Sequence, residues 1–334
     1  MMPDRPVDDG RLGGRPGADD IRIANAATYW PVAPTDVLLA APLAARLLLG
    51  ATPVGRVVQA AAYGAYAASA LQDWAARRGV RKIDFLREFG ADVRHLTPVP
   101  RDVREQDAGL LIERLNDDFT AERIPRRELA VEVDRHLTAY IAGVTGQRVE
   151  TSTEVRSFSL VGLFFPFALG ACDLLSGDVA VFRDVGVFEP HVIAHEFSHR
   201  KGYWKELEAQ ALAFLSLSAS ESPVLVQSAL CERLHRTWRA LVGDDRPAFR
   251  DRVERSSLRP ELRAEFLDLE RHAAQNAASR QVEGLMRRMY DERMRLTGQN
   301  GLSDYDVGFT NFLYTFELST TARQKPPAAG TLRA

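Results

Sequence analysis

The stretch EPHVIAHEFSHRKGYWKELEAQALAF, from Glu189 to Phe214, decides how the rest of the chain is read. It holds an HExxH pattern as His195, Glu196, Phe197, Ser198 and His199. On a helix, side chains four residues apart lie on one face, so both imidazoles can reach a single metal ion. Glu196 follows the first histidine and projects beside that ion, where a carboxylate can take a proton from water and later deliver it to a leaving group. The flanks support a helix. Pro190 suits a first turn, Gly202 suits the turn just past the end, and Val192, Ile193 and Phe197 supply an apolar side. With seven histidines in 334 residues, chance yields this pattern in about one such chain in a hundred, so this context carries weight.

A hydrolytic zinc site wants three protein donors and one open position. A turn at Gly202 lets the chain double back. Glu206 is then the first carboxylate able to return to the metal, and Glu208 the second. The two point about 200° apart on a helix, so only one is expected to ligate. Glu206 is favoured, because Gln210 then lies one turn on and is expected to hydrogen-bond a ligand imidazole. Glu208 is the alternative ligand, otherwise solvated or paired with an arginine. Of the remaining candidates, Tyr305 offers a phenolic donor for a tetrahedral oxyanion, with packing as the plain alternative. His191 shares the face of His195 and offers a proton relay or a bond to a ligand. His235 and His272 read as surface residues.

Working outward, everything after Phe188 reads as helix: Pro190–Lys201, Trp204–Ser218, Pro223–Val242, Arg246–Arg255, Pro260–Leu296 and Ser303–Leu318. Upstream, Thr151–Phe158, Leu160–Phe167 and Asp178–Phe182 read as a small sheet. Leu160–Phe167 also offers an edge strand for an extended peptide, with plain core as the alternative. Arg101–Phe119 and Pro125–Ala142 carry helical spacing. Residues 76–98 are basic. Residues 36–75 are the most apolar, in two runs, Val37–Gly50 and Val57–Leu71. Each run is shorter than the roughly 20 residues that span a bilayer, and Arg46 interrupts the first. A helical hairpin is expected there, with membrane contact through residues 36–75 left open. Residues 1–20 are expected to be disordered, 21–84 to hold the hairpin, 85–320 to form the catalytic domain and 321–334 to be a flexible tail. No secretory signal fits the start, which leaves a cytoplasmic or a membrane-associated location.

Composition narrows the function classes. With 46% hydrophobic and 26% charged residues the chain is an ordinary globular sequence. A net charge of -2, from 43 basic and 45 acidic residues, gives no polyelectrolyte case for nucleic acid. Cys172 and Cys231 are too few for a disulfide framework and are expected to be buried thiols. The fold class expected is α+β, predominantly helical.

HExxH followed by a downstream glutamate resembles the gluzincin peptidases, with Glu206-Leu207-Glu208-Ala209-Gln210 as the matching stretch. Gln210 stands where their aspartate is usual, and the spacing from His199 to Glu206 is shorter than in thermolysin-like enzymes. More closely, the C-terminal two-thirds resembles a bacterial zincin-like membrane family catalogued only as a domain of unknown function. The residues that carry this are Phe165-Pro166-Phe167, His195–His199, Gly202, Glu206–Gln210, Gly298-Gln299 and Ser303-Asp304-Tyr305. Gln210 replaces an asparagine, Ala171-Cys172 stand where an acidic residue is usual, and Asp304 is inserted. The resemblance implies a zincin-like catalytic domain, and N-terminal membrane helices in the place that residues 36–75 occupy. The leading expectation is a zinc metallopeptidase with His195, His199 and Glu206 as ligands, Glu196 as general base and a peptide substrate. The alternatives are a zinc enzyme acting on a small molecule, by biosynthesis or amide hydrolysis, and a non-catalytic metal-binding, membrane-associated protein.

Overall fold

A computed structural model describes residues 20–23, 45–50, 52–157, 168–173, 177–271 and 277–324. The expectations for residues 1–19, for most of the first apolar run, for Leu160–Phe167, for His272 and for the end of the tail lie outside those residues. In chain order the elements are β1 (Ile21–Arg22), α1 (Pro53–Arg77), α2 (Phe85–Phe89), α3 (Arg101–Asp117), α4 (Arg126–Thr145), β2 (Val149–Glu150), β3 (Gly170–Cys172) and β4 (Val179–Val181). There follow α5 (Glu189–Arg200), α6 (Glu206–Ser218), α7 (Pro223–Val242), α8 (Arg246–Arg255), α9 (Pro260–Arg271), α10 (Ala277–Leu296) and α11 (Val307–Gln324). The class is α+β and predominantly helical, with two small two-stranded sheets among the described residues.

The HExxH helix α5 is the hub. Pro190 sits in its first turn, as the sequence predicts, but the helix is not apolar on one side only: all of its residues are buried. It packs against α4, α6 and α7, and β3 and β4 lie against it. A helix enclosed on every side has to satisfy its polar groups internally, which is the condition that makes its two histidines and Glu196 informative. Helix α7 supports this centre from behind, with α3 and α11 packed on it. Phe85 and Phe89 of α2 meet Phe312 of α11, their ring centroids 6.0 and 6.1 Å away, which ties the start of the helical region to its end.

Strands β3 and β4 are antiparallel, with Gly170 opposite Val181 and Cys172 opposite Val179. β3 was not foreseen, because Gly, Ala and Cys lack the branched and aromatic character of strands. Its small residues serve close approach: a Cβ on Gly170 would stand 3.0 Å from Val192 Cγ1 and 3.1 Å from Glu196 Cγ. Among the described residues, 151–157 of the alternating stretch Thr151–Phe158 form no strand, and only Arg156 makes a bridge, to Ala180. The guanidinium of Arg200 accounts for this, since it takes up the carbonyls of Ser152 and Glu154 that a strand partner would need. Within the segment Pro260–Leu296, Pro260–Arg271 (α9) and Ala277–Leu296 (α10) are helical. At the C-terminal end, Leu302–Tyr305 is a 3-10 turn, and α11 continues to Gln324, past the expected Leu318.

Residues on both sides of the expected boundary at residue 84 are tied together. β1 pairs in parallel with β2, Ile21 opposite Val149. Arg77 Nε donates to the Arg200 carbonyl at 3.2 Å and Lys82 Nζ to the Gly202 carbonyl at 2.5 Å. On α1, Val54, Val57 and Tyr63 are exposed. No helix among the described residues is long and apolar enough to cross a membrane.

Candidate metal centre

The turn that follows α5 brings the third donor home. Gly202 has φ +95°, a conformation that side chains with a Cβ rarely adopt. Its N–H donates to the His199 carbonyl at 2.8 Å, and the Tyr203 N–H donates to the Ser198 carbonyl at 3.0 Å. The chain thereby reverses within a few residues, and Glu206 opens α6 beside the end of α5.

His195, His199 and Glu206 form a closed triangle of donor atoms. The two Nε2 atoms are 3.1 Å apart, and Glu206 Oε2 lies 3.1 Å from His195 Nε2 and 3.2 Å from His199 Nε2. Donors bound tetrahedrally to zinc at about 2.0–2.1 Å stand roughly 3.3 Å apart, so the triangle needs to open by only a few tenths of an ångström. All three side chains are buried: His195 and His199 are 7% exposed and Glu206 is 5% exposed. Among the described residues no other His, Cys, Asp or Glu joins the group, which leaves three protein donors.

The chemistry of the donors fits a cation. His199 Nδ1 lies 2.7 Å from the Tyr203 carbonyl, which can only accept, so Nδ1 carries the proton. In a neutral ring that leaves the Nε2 lone pair aimed at a second imidazole nitrogen and a carboxylate. Three electron-rich atoms facing one another in a buried space call for a proton or a metal ion at their centre. The electrostatics say the same. Burial works against a charged His199, but the adjoining Glu206 carboxylate outweighs it and moves the imidazole up to about 9. Burial also works against a charged Glu206, and the two imidazoles overcome it, holding the carboxyl well below its ordinary range.

Glu206 is held from three directions. Its backbone N–H donates to Gln299 Oε1 at 2.7 Å. The Tyr305 hydroxyl donates to Oε2 at 2.7 Å, and the Tyr290 hydroxyl donates to Oε1. The expected oxyanion donor Tyr305 is therefore engaged with the third donor itself. Tyr290, on α10, was not singled out from the sequence. The loop between them is ordered by Asp304, which is buried and accepts from the Asn300 N–H and the Asn300 side-chain amide, both at 2.9 Å. Trp204 stacks parallel to the His199 ring, the planes 7° apart.

Glu196 stands outside the triangle. Burial pushes its carboxyl up, against the pull of the two imidazoles, and the Cys172 backbone N–H of β3 donates to it. The remaining candidates fall elsewhere. Glu208 turns away and pairs with Lys205 at 2.8 Å, so its partner is a lysine, not an arginine. Gln210 does not reach a ligand imidazole. Its Nε2 donates to Glu232 Oε1 at 2.7 Å, while His195 Nδ1 has no partner among the described residues. Glu232 also accepts from Arg236 at 2.7 Å, and Arg236 in turn reaches Asp306, the neighbour of Tyr305, at 3.0 Å. His191 lies 3.9 Å from Glu232, and burial pulls its ring down to about 4, so it is neutral at pH 7. His235 is no surface residue: it is buried among Phe188, Phe249 and Phe266. Cys172 and Cys231 are both free thiols.

Two fully buried cations fix the C-terminal end of α5. Arg200 Nη2 donates to the Glu154 carbonyl at 2.9 Å and Nε to the Gly177 carbonyl at 2.6 Å. Lys201 pairs with Asp134 at 2.7 Å and donates to the Val149 carbonyl at 3.0 Å. Sites whose geometry matters are commonly braced in this way from behind.

A family model described as "Protein of unknown function (DUF3810)" matches residues 178–314. That segment is similar to the family over the stretch holding His195, Glu196, His199, Glu206, Tyr290, Gln299 and Tyr305. No curated protein and no solved structure matches the chain.

Proposed function

We propose that this chain is a zinc-dependent hydrolase of the zincin type, acting as a metallopeptidase. The observation that carries the proposal is the convergence of His195 Nε2, His199 Nε2 and Glu206 Oε2 to within 3.2 Å of one another, with Glu196 buried beside them but outside the donor set. Three protein donors suit a catalytic zinc, which keeps a position for solvent or substrate, better than a structural zinc, which is closed by four. When bound, zinc supplies Lewis acidity at that open position.

Glu196 does the proton work in this proposal. Its carboxylate oxygen takes a proton from the attacking water and delivers it to the departing nitrogen. A carboxyl moved upward by burial is better matched to accept and release a proton near neutral pH than an exposed one. The Cys172 N–H keeps it oriented, and the enclosure of α5 shields the transfer from bulk water. Tyr305 and Tyr290 hold Glu206 in place, so neither is assigned to the oxyanion.

The test pairs metal content with turnover. Wild-type protein is expected to carry zinc and to cleave members of a quenched-fluorescent peptide library. Glu196→Gln is expected to keep the zinc and lose cleavage by a factor of about 10²–10⁴, the usual contribution of a general base. Equal cleavage by wild type and Glu196→Gln refutes the proposed chemistry.

A further inference from the structure

Helices α3, α7 and α11 leave a cavity of about 260 Å³ between them, and none of His195, Glu196, His199 or Glu206 lines it. Arg104 of α3 does line it and is only 7% exposed. A buried guanidinium is ordinarily matched by a carboxylate. Arg104 is bonded instead to two neutral oxygens, from Nη1 to the Thr310 hydroxyl and from Nη2 to Asn311 Oδ1 at 2.7 Å. Two acidic side chains, Asp107 and Glu317, line the same cavity, but Arg233 engages both, at 2.6 and 2.8 Å. Burial accordingly disfavours the charge of Arg104 more than Asp107 favours it. A second polar group there is also unmatched. Thr237 of α7 lines the cavity, is 1% exposed, and its Oγ1 has no hydrogen-bond partner among the described residues.

We propose that this cavity binds a small monocarboxylate, with Arg104 and Thr237 as its polar contacts. A guanidinium has five N–H donors, and the bonds to Thr310 and Asn311 use two of them. A ligand carboxylate accepts from the remainder, in hydrogen bonds strengthened by charge on both partners, and also from the Thr237 hydroxyl. The body of the ligand is apolar, to match Val103, Leu313 and Tyr314, which also line the cavity. It is small as well, because the volume falls short of the roughly 300–1,000 Å³ of pockets for drug-sized ligands. A multiply charged anion such as phosphate suits the cavity less, since Asp107 and Glu317 adjoin it. These features select a short aliphatic or single-ring acid. The site does not depend on the proposed metal centre.

The test follows two probes by fluorine NMR, para-fluorophenylacetate and its uncharged amide. Chelator-treated protein is used, so that no metal competes for the anion. Wild type is expected to bind the acid saturably, with a Kd below about 1 mM, and the amide at least about tenfold more weakly. Arg104→Met should weaken the acid by about tenfold or more. Because Arg104 also joins α3 to α11, that variant is paired with Thr237→Val, which keeps the side-chain shape and removes only the hydroxyl. Thr237→Val should weaken the acid severalfold and leave the weak binding of the amide as it was. His199→Ala should bind the acid as wild type does, which places the site away from the metal centre. Equal binding of acid and amide, binding lost in His199→Ala but kept in Thr237→Val, or no binding of the acid up to about 10 mM overturns the proposal.

Discussion

Gly202→Ala probes the turn on which the third donor depends. The glycine has φ +95°, and an alanine in a left-handed conformation costs about 1–2 kcal/mol. The new Cβ would stand 2.5 Å from Lys82 Nζ, so the ammonium has to withdraw from the Gly202 carbonyl to which it donates. Losing a partly exposed bond of that kind costs about 1–2 kcal/mol. The total is about 2–4 kcal/mol, which for a chain of this size lowers the melting temperature by roughly 3–6 °C. Urea denaturation of Gly202→Ala, Lys82→Ala and the double variant separates the two parts. In the Lys82→Ala background the glycine substitution should cost only the backbone share of about 1–2 kcal/mol. An equal cost in both backgrounds would refute the Lys82 contribution, and a cost below about 0.5 kcal/mol in either would refute the strained turn.

Further outcomes follow from the buried charges. In chelator, the His199–Glu206 pair makes metal-free stability depend on pH. The imidazole is raised from 6.5 to about 9, so its stabilisation is complete below pH 6.5 and is lost as pH climbs through 9. The carboxyl is lowered, so its share is present above 4.5 and lost on the acid side. Urea midpoints of metal-free protein should therefore fall between pH 6.5 and 9, and a steady rise would contradict the pair. Asp134→Ala leaves the fully buried Lys201 without its carboxylate and should cost about 3–5 kcal/mol. Combining it with Lys201→Met should recover part of that loss, as a chemical denaturation series would show.

The site was legible in the sequence where it is local. The spacing of His195 and His199, the turn at Gly202 and the arrival of Glu206 as the first carboxylate all follow from helical geometry over a short stretch. Long-range contacts were not legible. Tyr290 sits in an Arg- and Met-rich helix with nothing in its periodicity to mark it, and it meets Glu206 only because α10 and the Asn300–Asp304 turn fold back. Gln210 was assigned by helical proximity to a ligand imidazole, but Glu232 on α7 competes for it and wins. His235 shows the same limit from the other side. A polar residue reads as surface until the fold supplies aromatic walls around it. The missed strand β3 reflects packing that overrides propensity, since Gly170 is there to let α5 come close.

Zinc stoichiometry across four proteins tests the centre most directly. Wild type and Glu208→Gln, whose carboxylate pairs with Lys205, should each bind one equivalent with the same affinity. His199→Ala and Glu206→Gln should lose it. Zinc retained by both of those variants, or lost equally by Glu208→Gln, would contradict the convergence of two imidazoles and the Glu206 carboxylate on one ion.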